Sequence, residues 1–351
     1  MLRLVKTATI PLLLVLCVPL QGLWGVPLRA AESENMWVDG ARREGELVVW
    51  AVGEVQFQTM VVDRFKKNYP FMRKVDAVRI PSEKLRTRLL TEAQTGKKSS
   101  VDVIGLSGFE LLYLAEKGFF APYKSPASSA IAEGFKDPNG YWASYYVNTM
   151  VSAYNTKLVA LKDVPQRWED LLDPRWKGNI AFFEEEYEWY ANFLKVVGRD
   201  KGLAFMRRFA KQELQYRGGH TQMVQLLAAG EFPLMAVAFA PRVSVVKAGG
   251  APVDWVPLDP VFSNPIGMGI YKWAQHPNAA KLFIDFMLSR EIQQEVWVNE
   301  AWKGSARKDV TPKDPRWKGV QVIALDLTLA QKYEEIAREF RQIFRPHSGA
   351  R

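Results

Sequence analysis

Between Gly45 and Phe120 the apolar positions switch repeatedly between two spacings. "GELVVWAVG" (45–53) is a continuous apolar run closed by glycine and predicts a buried strand. "FQTMVVDRFKKNYP" follows, with Met60, Val61, Phe65 and Tyr69 at helical spacing and Pro70 as the stop. "KVDAVRI" predicts a second strand. "PSEKLRTRLLTEAQTG" predicts a helix, with Ser82 as N-cap, Leu85, Leu89 and Leu90 on one face, and Gly96 past the end. "VDVIGLS" and "GFELLYLAEKGFF" give a third strand and a third helix. This alternation requires crossovers, hence a largely parallel sheet covered by helices.

The pattern changes between Tyr145 and Tyr154, where the residues favour an extended chain, and a second α/β alternation follows. "GNIAFF" reads as a strand, "EWYANFLKVVG", "KGLAFMRRFAKQ" and "MVQLLAAGE" as helices, and "FPLMAVAFA" as a strand. "GAPVDWVPLD" is extended and "GMGIYK" follows. Then comes a strongly amphipathic helix, "PNAAKLFIDFMLSREIQQEVW", with Pro277 in its first turn and Leu282, Phe283, Phe286, Met287 and Ile292 apolar. "TLAQKYEEIAREFRQIF" predicts the last helix. The fold class is therefore α/β: two lobes with central mixed sheets, joined by extended hinge strands, with a ligand cleft between them.

Length and composition fit this picture. A chain of 351 residues suggests about two domains, and 48% hydrophobic with 24% charged residues can bury full cores. Residues 1–31 differ from the rest. Arg3 and Lys6 precede the apolar run Ile10–Leu20, and Ala30 and Ala31 are small, the pattern of a cleaved secretory signal peptide. The run contains Pro11 and Pro19, is followed by Gln21 and is too short to cross a bilayer. Cleavage near Ala31 removes Cys17, the single cysteine, so disulfides and thiol catalysis are excluded from the mature chain. It also removes three basic residues and no acid, so the net charge falls from +9 to +6. With no concentrated basic stripe, nucleic acid is not an expected partner. A soluble, monomeric periplasmic protein is expected.

Residues 155–182, "NTKLVALKDVPQRWEDLLDPRWKGNIAF", hold Trp168 and Trp176 in a segment broken by Pro165 and Pro174. Together with the element order, the export signal and "HPNAAKLFIDFMLSREIQQEV", this stretch resembles the extracellular solute-binding proteins of ABC importers. More narrowly, it resembles the type II branch that contains the ferric-iron-binding proteins. The resemblance spans the mature chain nearly end to end. It implies two lobes, residues 32–147 with 260–308 and residues 148–259 with 309–351, closing on a small-molecule ligand that is then handed to an inner-membrane ABC permease. It also places Trp168, Leu171 and Leu172 in a short helix stopped by Asp-Pro, with Trp176 covering the base of the next strand, so that both tryptophans are scaffold.

Iron-binding members of that branch use adjacent tyrosines after the strand that here reads "FPLMAVAFAPRVSVV". This chain has Phe239, Ala240, Pro241 and Arg242 there, and its histidines, His220, His276 and His347, are far apart. Ferric iron needs several converging oxygen or nitrogen donors. The iron or iron-complex reading stays open as the alternative through Tyr145, Tyr146, Tyr187 and Tyr190. Candidate ligand positions are Glu54 and Gln56 after the first strand, Ser107 and Gly108 after the third, Tyr145 at the crossing, Glu184 and Tyr187 in "FFEEEYEWY", His220 and Thr221 in "YRGGHTQM", and Arg242. The acids suit a cation. Arg242, His220 and the helix N-termini suit an anion. The balance favours a small organic anion, with no cofactor and no resident metal. A secreted hydrolase is a third reading, since Glu184 and Glu188 could serve a glycosidase. No "GxSxG" or "HExxH" accompanies them, and the expectation is a binding protein rather than an enzyme.

Overall fold

The computed structural model describes residues 37–344. The expected signal peptide, Cys17 and His347 lie outside the described residues. Helix α1 (residues 37–44) leads into β1 (Glu46–Ala51), α2 (Val55–Asn68), β2 (Lys74–Arg79), α3 (Ser82–Gln94), β3 (Val103–Ser107), α4 (Gly108–Glu116) and the short β4 (Phe120–Ala121). The long β5 (Ala143–Asn155) then leads to β6 (Ile180–Phe183), α5 (Tyr187–Val197), α6 (Arg199–Ala210), β7 (Gln215–Arg217), α7 (His220–Ala229), β8 (Leu234–Phe239), α8 (Ala240–Ala248) and β9 (Val253–Val256). The chain returns along β10 (Val261–Tyr271) to α9 (Pro277–Leu288) and α10 (Arg290–Ile292). It ends with β11 (Val322–Ala324) and α11 (Tyr333–Phe344).

The strands run in the order β2-β1-β3-β10-β5-β8-β6-β7, with β4 and β11 on β10 and β9 on β5. β1 pairs in parallel with β2 and β3, and β6 pairs in parallel with β7 and β8. β5 and β10 are antiparallel and belong to both halves. β5 pairs with β10 from Ala143 to Thr149, then with β8 from Met150 to Tyr154 and with β9 from Ser152 to Asn155. The fold is thus the expected mixed α/β architecture with two extended crossings at its centre.

Each half has an aromatic core. In the first, Phe65 of α2 meets Phe283 and Phe286 of α9 edge-on at 5.1 and 5.3 Å. In the second, Trp168 packs at a tilt against Trp189 at 4.8 Å, and Phe182 packs against Phe340 and Phe344 of α11. Trp168 and Trp176 are 2% and 7% exposed, so the tryptophans of the Pro-broken segment are scaffold. Trp168–Leu172 is a single 3-10 turn, and the Asp173 carboxylate accepts from Arg175 N (3.0 Å) to start the next.

Four local features differ from the pattern expected of the sequence. Ser82 does not cap α3: its hydroxyl accepts from Ser107 N at 3.1 Å and meets the Ser107 hydroxyl at 3.0 Å, tying α3 to the end of β3. The amphipathic run after Pro277 is not one helix. Ser289 turns extended (ψ 150°) and accepts from Ile292 N, so α9 stops and α10 starts, continuing as a π-helix over Gln293–Glu300. "GMGIY" is the end of an eleven-residue strand, whose Pro265 lies at a β5–β10 pairing position without the donor that most ladder residues supply. The last helix begins only at Tyr333, after a 3-10 segment capped by Asp326.

Asp102, fully buried, brackets the first half. Its carboxylate accepts from Val48 N, Gln275 N and His276 N, each at 2.9 Å, and meets His276 Nδ1 at 2.9 Å. Asp102→Ala would orphan these groups where water cannot replace the acceptor. The expected loss is about 3 kcal/mol or more of unfolding free energy, checked by urea denaturation.

Candidate functional site

Helices α4, α5, α7 and α8 each start directly after a strand or its following turn, so their first turns converge on the β5–β10 crossing. The first contact chain begins on α4. Gly108 N donates to Asn264 Oδ1 at 3.3 Å, and Asn264 Nδ2 donates to Glu188 Oε2 at 2.9 Å. One asparagine of β10 therefore links the start of α4 in one half to the start of α5 in the other. A Cβ on Gly108 would stand 2.6 Å from Leu327 Cδ2 and 2.8 Å from Asn264 Oδ1, so any larger residue must displace the asparagine that bridges the halves. Ser107 Oγ lies within 3.2 Å of Glu110.

A second chain runs along the other half. The buried Glu186 carboxylate holds His220 Nε2 at 2.8 Å, and the His220 ring packs against Phe183 and Phe239 at 4.7 and 4.5 Å. Glu184 sits close by, with Oε1 3.4 Å from where a Cβ on Gly218 would lie. Thr221 is exposed in the first turn of α7. Arg242, in the first turn of α8, is half-buried, and its Nε is buried with no hydrogen-bond partner among the described residues.

The remaining candidates lie elsewhere. Glu54 is exposed and pairs with Lys303 at 3.2 Å, and Gln56 is exposed nearby on α2. Tyr145 is 1% exposed, donates to Val52 O at 3.0 Å and packs edge-on against Tyr146 and Trp297. Tyr187 is 4% exposed, wedged against Phe340 and Tyr333. Both tyrosines are packing residues in this conformation. The structure sets Ser107 and Gly108 at the β3–α4 junction, Glu184 after β6, His220 and Thr221 after β7 and Arg242 after β8, and keeps Tyr145 and Tyr187 in the core.

Asn264, Glu110, Glu186 and Glu188 were not singled out as ligand positions from the sequence. Asn264 had a legible signal, an amide inside the apolar run "VFSNPIGMG". The acids had none, because their convergence depends on two helices distant in sequence. Burial pushes the Glu188 carboxyl up to about 8, reinforced by Glu110, Glu186 and Glu83. Burial also raises Glu110. Near neutral pH Glu188 is therefore largely a neutral acid that can donate as well as accept. A carboxyl raised on folding binds its proton more tightly in the native state. Its stabilisation is present at low pH and is lost as pH climbs from the unfolded value towards 8. Glu188→Gln should match the parent near pH 5 and become progressively more stable than it towards pH 8, by up to about 1.4 kcal/mol per pH unit. Thermal unfolding across this range checks the divergence.

Among the described residues no group of three or more His, Cys, Asp or Glu is placed to hold a metal ion. Residues 100–327 match the model of the bacterial extracellular solute-binding protein family. An uncharacterised protein of Haemophilus influenzae is 31% identical over 196 residues, 52% of this chain and 56% of that protein. Iron uptake protein A1 of Synechocystis sp. is 24% identical over 251 residues, 63% of this chain and 65% of the relative. The chain thus spans somewhat under two thirds of the length of these curated relatives. Among solved structures, the periplasmic binding protein AfuA of Actinobacillus pleuropneumoniae, with exogenous fructose-6-phosphate bound, superposes with a TM-score of 0.69 at 22% identity, over 86% of this chain and 98% of that one. With the family model matching well over half of its length and the two-half α/β fold in agreement, the chain belongs to the bacterial extracellular solute-binding proteins.

Proposed function

We propose that this protein is the periplasmic substrate-binding component of an ABC importer, exported by a signal peptide cleaved near Ala31, and that it captures a small organic anion. It works as a monomer and a carrier, not an enzyme. Its lobes are residues 32–147 with 260–308 and residues 148–259 with 309–351. The change of partner along β5, from β10 to β8 at Met150, supports that division. Solute binds one lobe, and closure about β5 and β10 is selected because only the closed state makes contacts from both. The membrane permease reads the closed form.

The observation that carries the anion is Arg242. A guanidinium Nε buried without an acceptor is costly unless a ligand supplies one, and the planar fork suits a carboxylate or phosphate. The Glu188, Asn264, Glu186 and His220 cluster supplies acceptors and a neutral carboxylic acid for hydroxyl or amine groups on the same ligand. A phosphorylated or carboxylated polyol fits both parts. The fructose-6-phosphate bound to AfuA has this chemistry, whereas the Synechocystis relative is named for iron uptake. Burial raises the Tyr145 and Tyr146 phenols well above their ordinary value, which opposes the deprotonation that ferric iron demands.

Calorimetric titration with fructose-6-phosphate, inorganic phosphate and ferric citrate tests this reading. The hexose phosphate is expected to bind, and Arg242→Ala to weaken it by about 1.5–3 kcal/mol, roughly 10- to 100-fold. Unchanged affinity would remove Arg242 from the site. Binding of ferric citrate alone would favour iron.

A further inference from the structure

At the opposite end of β3 and α4 from Ser107 and Gly108, the first half has a pole built from two helix ends and two strand ends. α3 and α4 are each followed by a glycine in the left-handed region, Gly96 (φ +71°) and Gly118 (φ +73°), and a Cβ on either would meet no atom within 4 Å. Lys97 N donates to Glu92 O at 2.9 Å and Phe119 N to Leu114 O at 3.0 Å, so both helices close with the same bond beyond the glycine. β3 starts here at Val103, and β10, antiparallel to it with Ile270 opposite Val103, ends here at Tyr271. Ser99 N donates to the Tyr271 hydroxyl at 3.4 Å, which ties the loop after α3 to the end of β10. Lys272 N donates to Phe119 O at 2.8 Å, which ties the turn after β10 to the end of α4.

A large aromatic ring stands out from this pole. Trp273 is 37% exposed. The buried Tyr271 and Phe119 meet its ring edge-on at 5.3 and 6.2 Å and brace it while part of the indole faces solvent. Four exposed lysines belong to the same pole: Lys97 and Lys98 after α3, Lys117 at the end of α4, and Lys272. Lys272 Nζ lies 5.4 Å from the Trp273 ring centroid. None of the four forms an ion pair among the described residues. The acids on the last turns of the two helices are engaged elsewhere. Glu92 accepts from Arg88 at 3.0 Å and from Ser99, and Glu116 accepts from Gln331 at 2.6 Å.

Lys97 and Lys117 suit the carbonyl ends of their helices. That does not account for Lys98 and Lys272, or for a tryptophan kept in water beside them. A single exposed tryptophan is ordinary by itself. Set among four unpaired lysines it has the composition of a membrane-interface anchor, in which the amphipathic indole sits at headgroup level and ammonium groups meet anionic headgroups. Protein interfaces deplete lysine and enrich arginine, and all four of these cations are lysine.

We propose that this pole docks on an anionic phospholipid surface, with Trp273 at headgroup depth and Lys97, Lys98, Lys117 and Lys272 against the phosphates. Docking at this end leaves Ser107 and Gly108, at the other end of β3 and α4, uncovered. It would hold the carrier beside a membrane permease, a consequence that rests on the function proposed above, whereas the docking itself does not.

Cosedimentation of the mature protein with vesicles tests this, using phosphatidylcholine alone and phosphatidylcholine mixed equally with phosphatidylglycerol. The expected result is binding to the mixed vesicles, suppressed by high salt, and none to phosphatidylcholine. Each lysine at an anionic surface contributes roughly fivefold, so Lys97→Glu with Lys98→Glu should weaken binding at least tenfold. Trp273→Ala should weaken it several-fold with the charge unchanged. Lys201→Glu with Lys211→Glu, at exposed positions of the second half, changes the net charge equally and should leave binding within about twofold. Circular dichroism checks that each variant is folded, and lysine-to-glutamine pairs replace any charge reversal that is not. Equal weakening by the two double variants would assign the binding to net charge and overturn the proposal. Absence of binding to the mixed vesicles also overturns it and leaves the pole to an acidic protein surface.

Discussion

The structure depends on the antiparallel pairing of β5 with β10. Six register pairs, from Ser263 with Thr149 to Met268 with Ala143, are shared by two half-sheets that otherwise have separate strands. Strand pairing is stiff along the chain and compliant in twist. Two strands passing together between the halves can rotate them while keeping their backbone hydrogen bonds. A bulge between Ile266 and Gly267 falls within this pairing, a place where twist accumulates. Gln293 reinforces the crossing from one side: its buried side chain donates to Tyr145 O and Met287 O and accepts from Ser305.

The site follows from that crossing. Strands β3, β6 and β8 end near it, and the helices after them present free N–H groups and acids from both halves. The resulting field is mixed. Glu83 and Glu110 of the first half face Glu186, Glu188 and His220 of the second, and Arg242, whose Nε has no partner among the described residues, lies in the first turn of α8. Burial resolves part of that conflict by keeping Glu188 protonated: desolvation disfavours its charged form, and the neighbouring Glu110, Glu186 and Glu83 add to that. The proposed solute, with an anionic end and several hydroxyl or amine groups, would satisfy both parts of this field.

Much of the fold was legible in the chain. An apolar run closed by glycine marked β1, "VDVIGLS" marked β3, and helical spacing marked α2, α3 and α9. The errors arose where a polar side chain overrode periodicity. Ser289 broke a seemingly continuous amphipathic helix, and Ser82 served a tertiary bond rather than a cap. The site was less legible. His220, Ser107 and Arg242 could be assigned to strand-helix junctions because loops at strand ends are predictable. Whether a tyrosine at the crossing turns into the cleft or the core was not, since adjacent residues of a strand face opposite ways and the bulge shifts that alternation. Tyr145 and its neighbour Tyr146 both end in the core, each packed on Trp297. Asn264 and Glu188, 76 residues apart, meet only in three dimensions.

The most direct measurement is a native mass spectrum of the protein purified from the exported fraction, followed by release and identification of what it carries. The account predicts one stoichiometric small organic anion, lost on denaturation and absent from Arg242→Ala. A mass increment of iron, retained in Arg242→Ala, would contradict it.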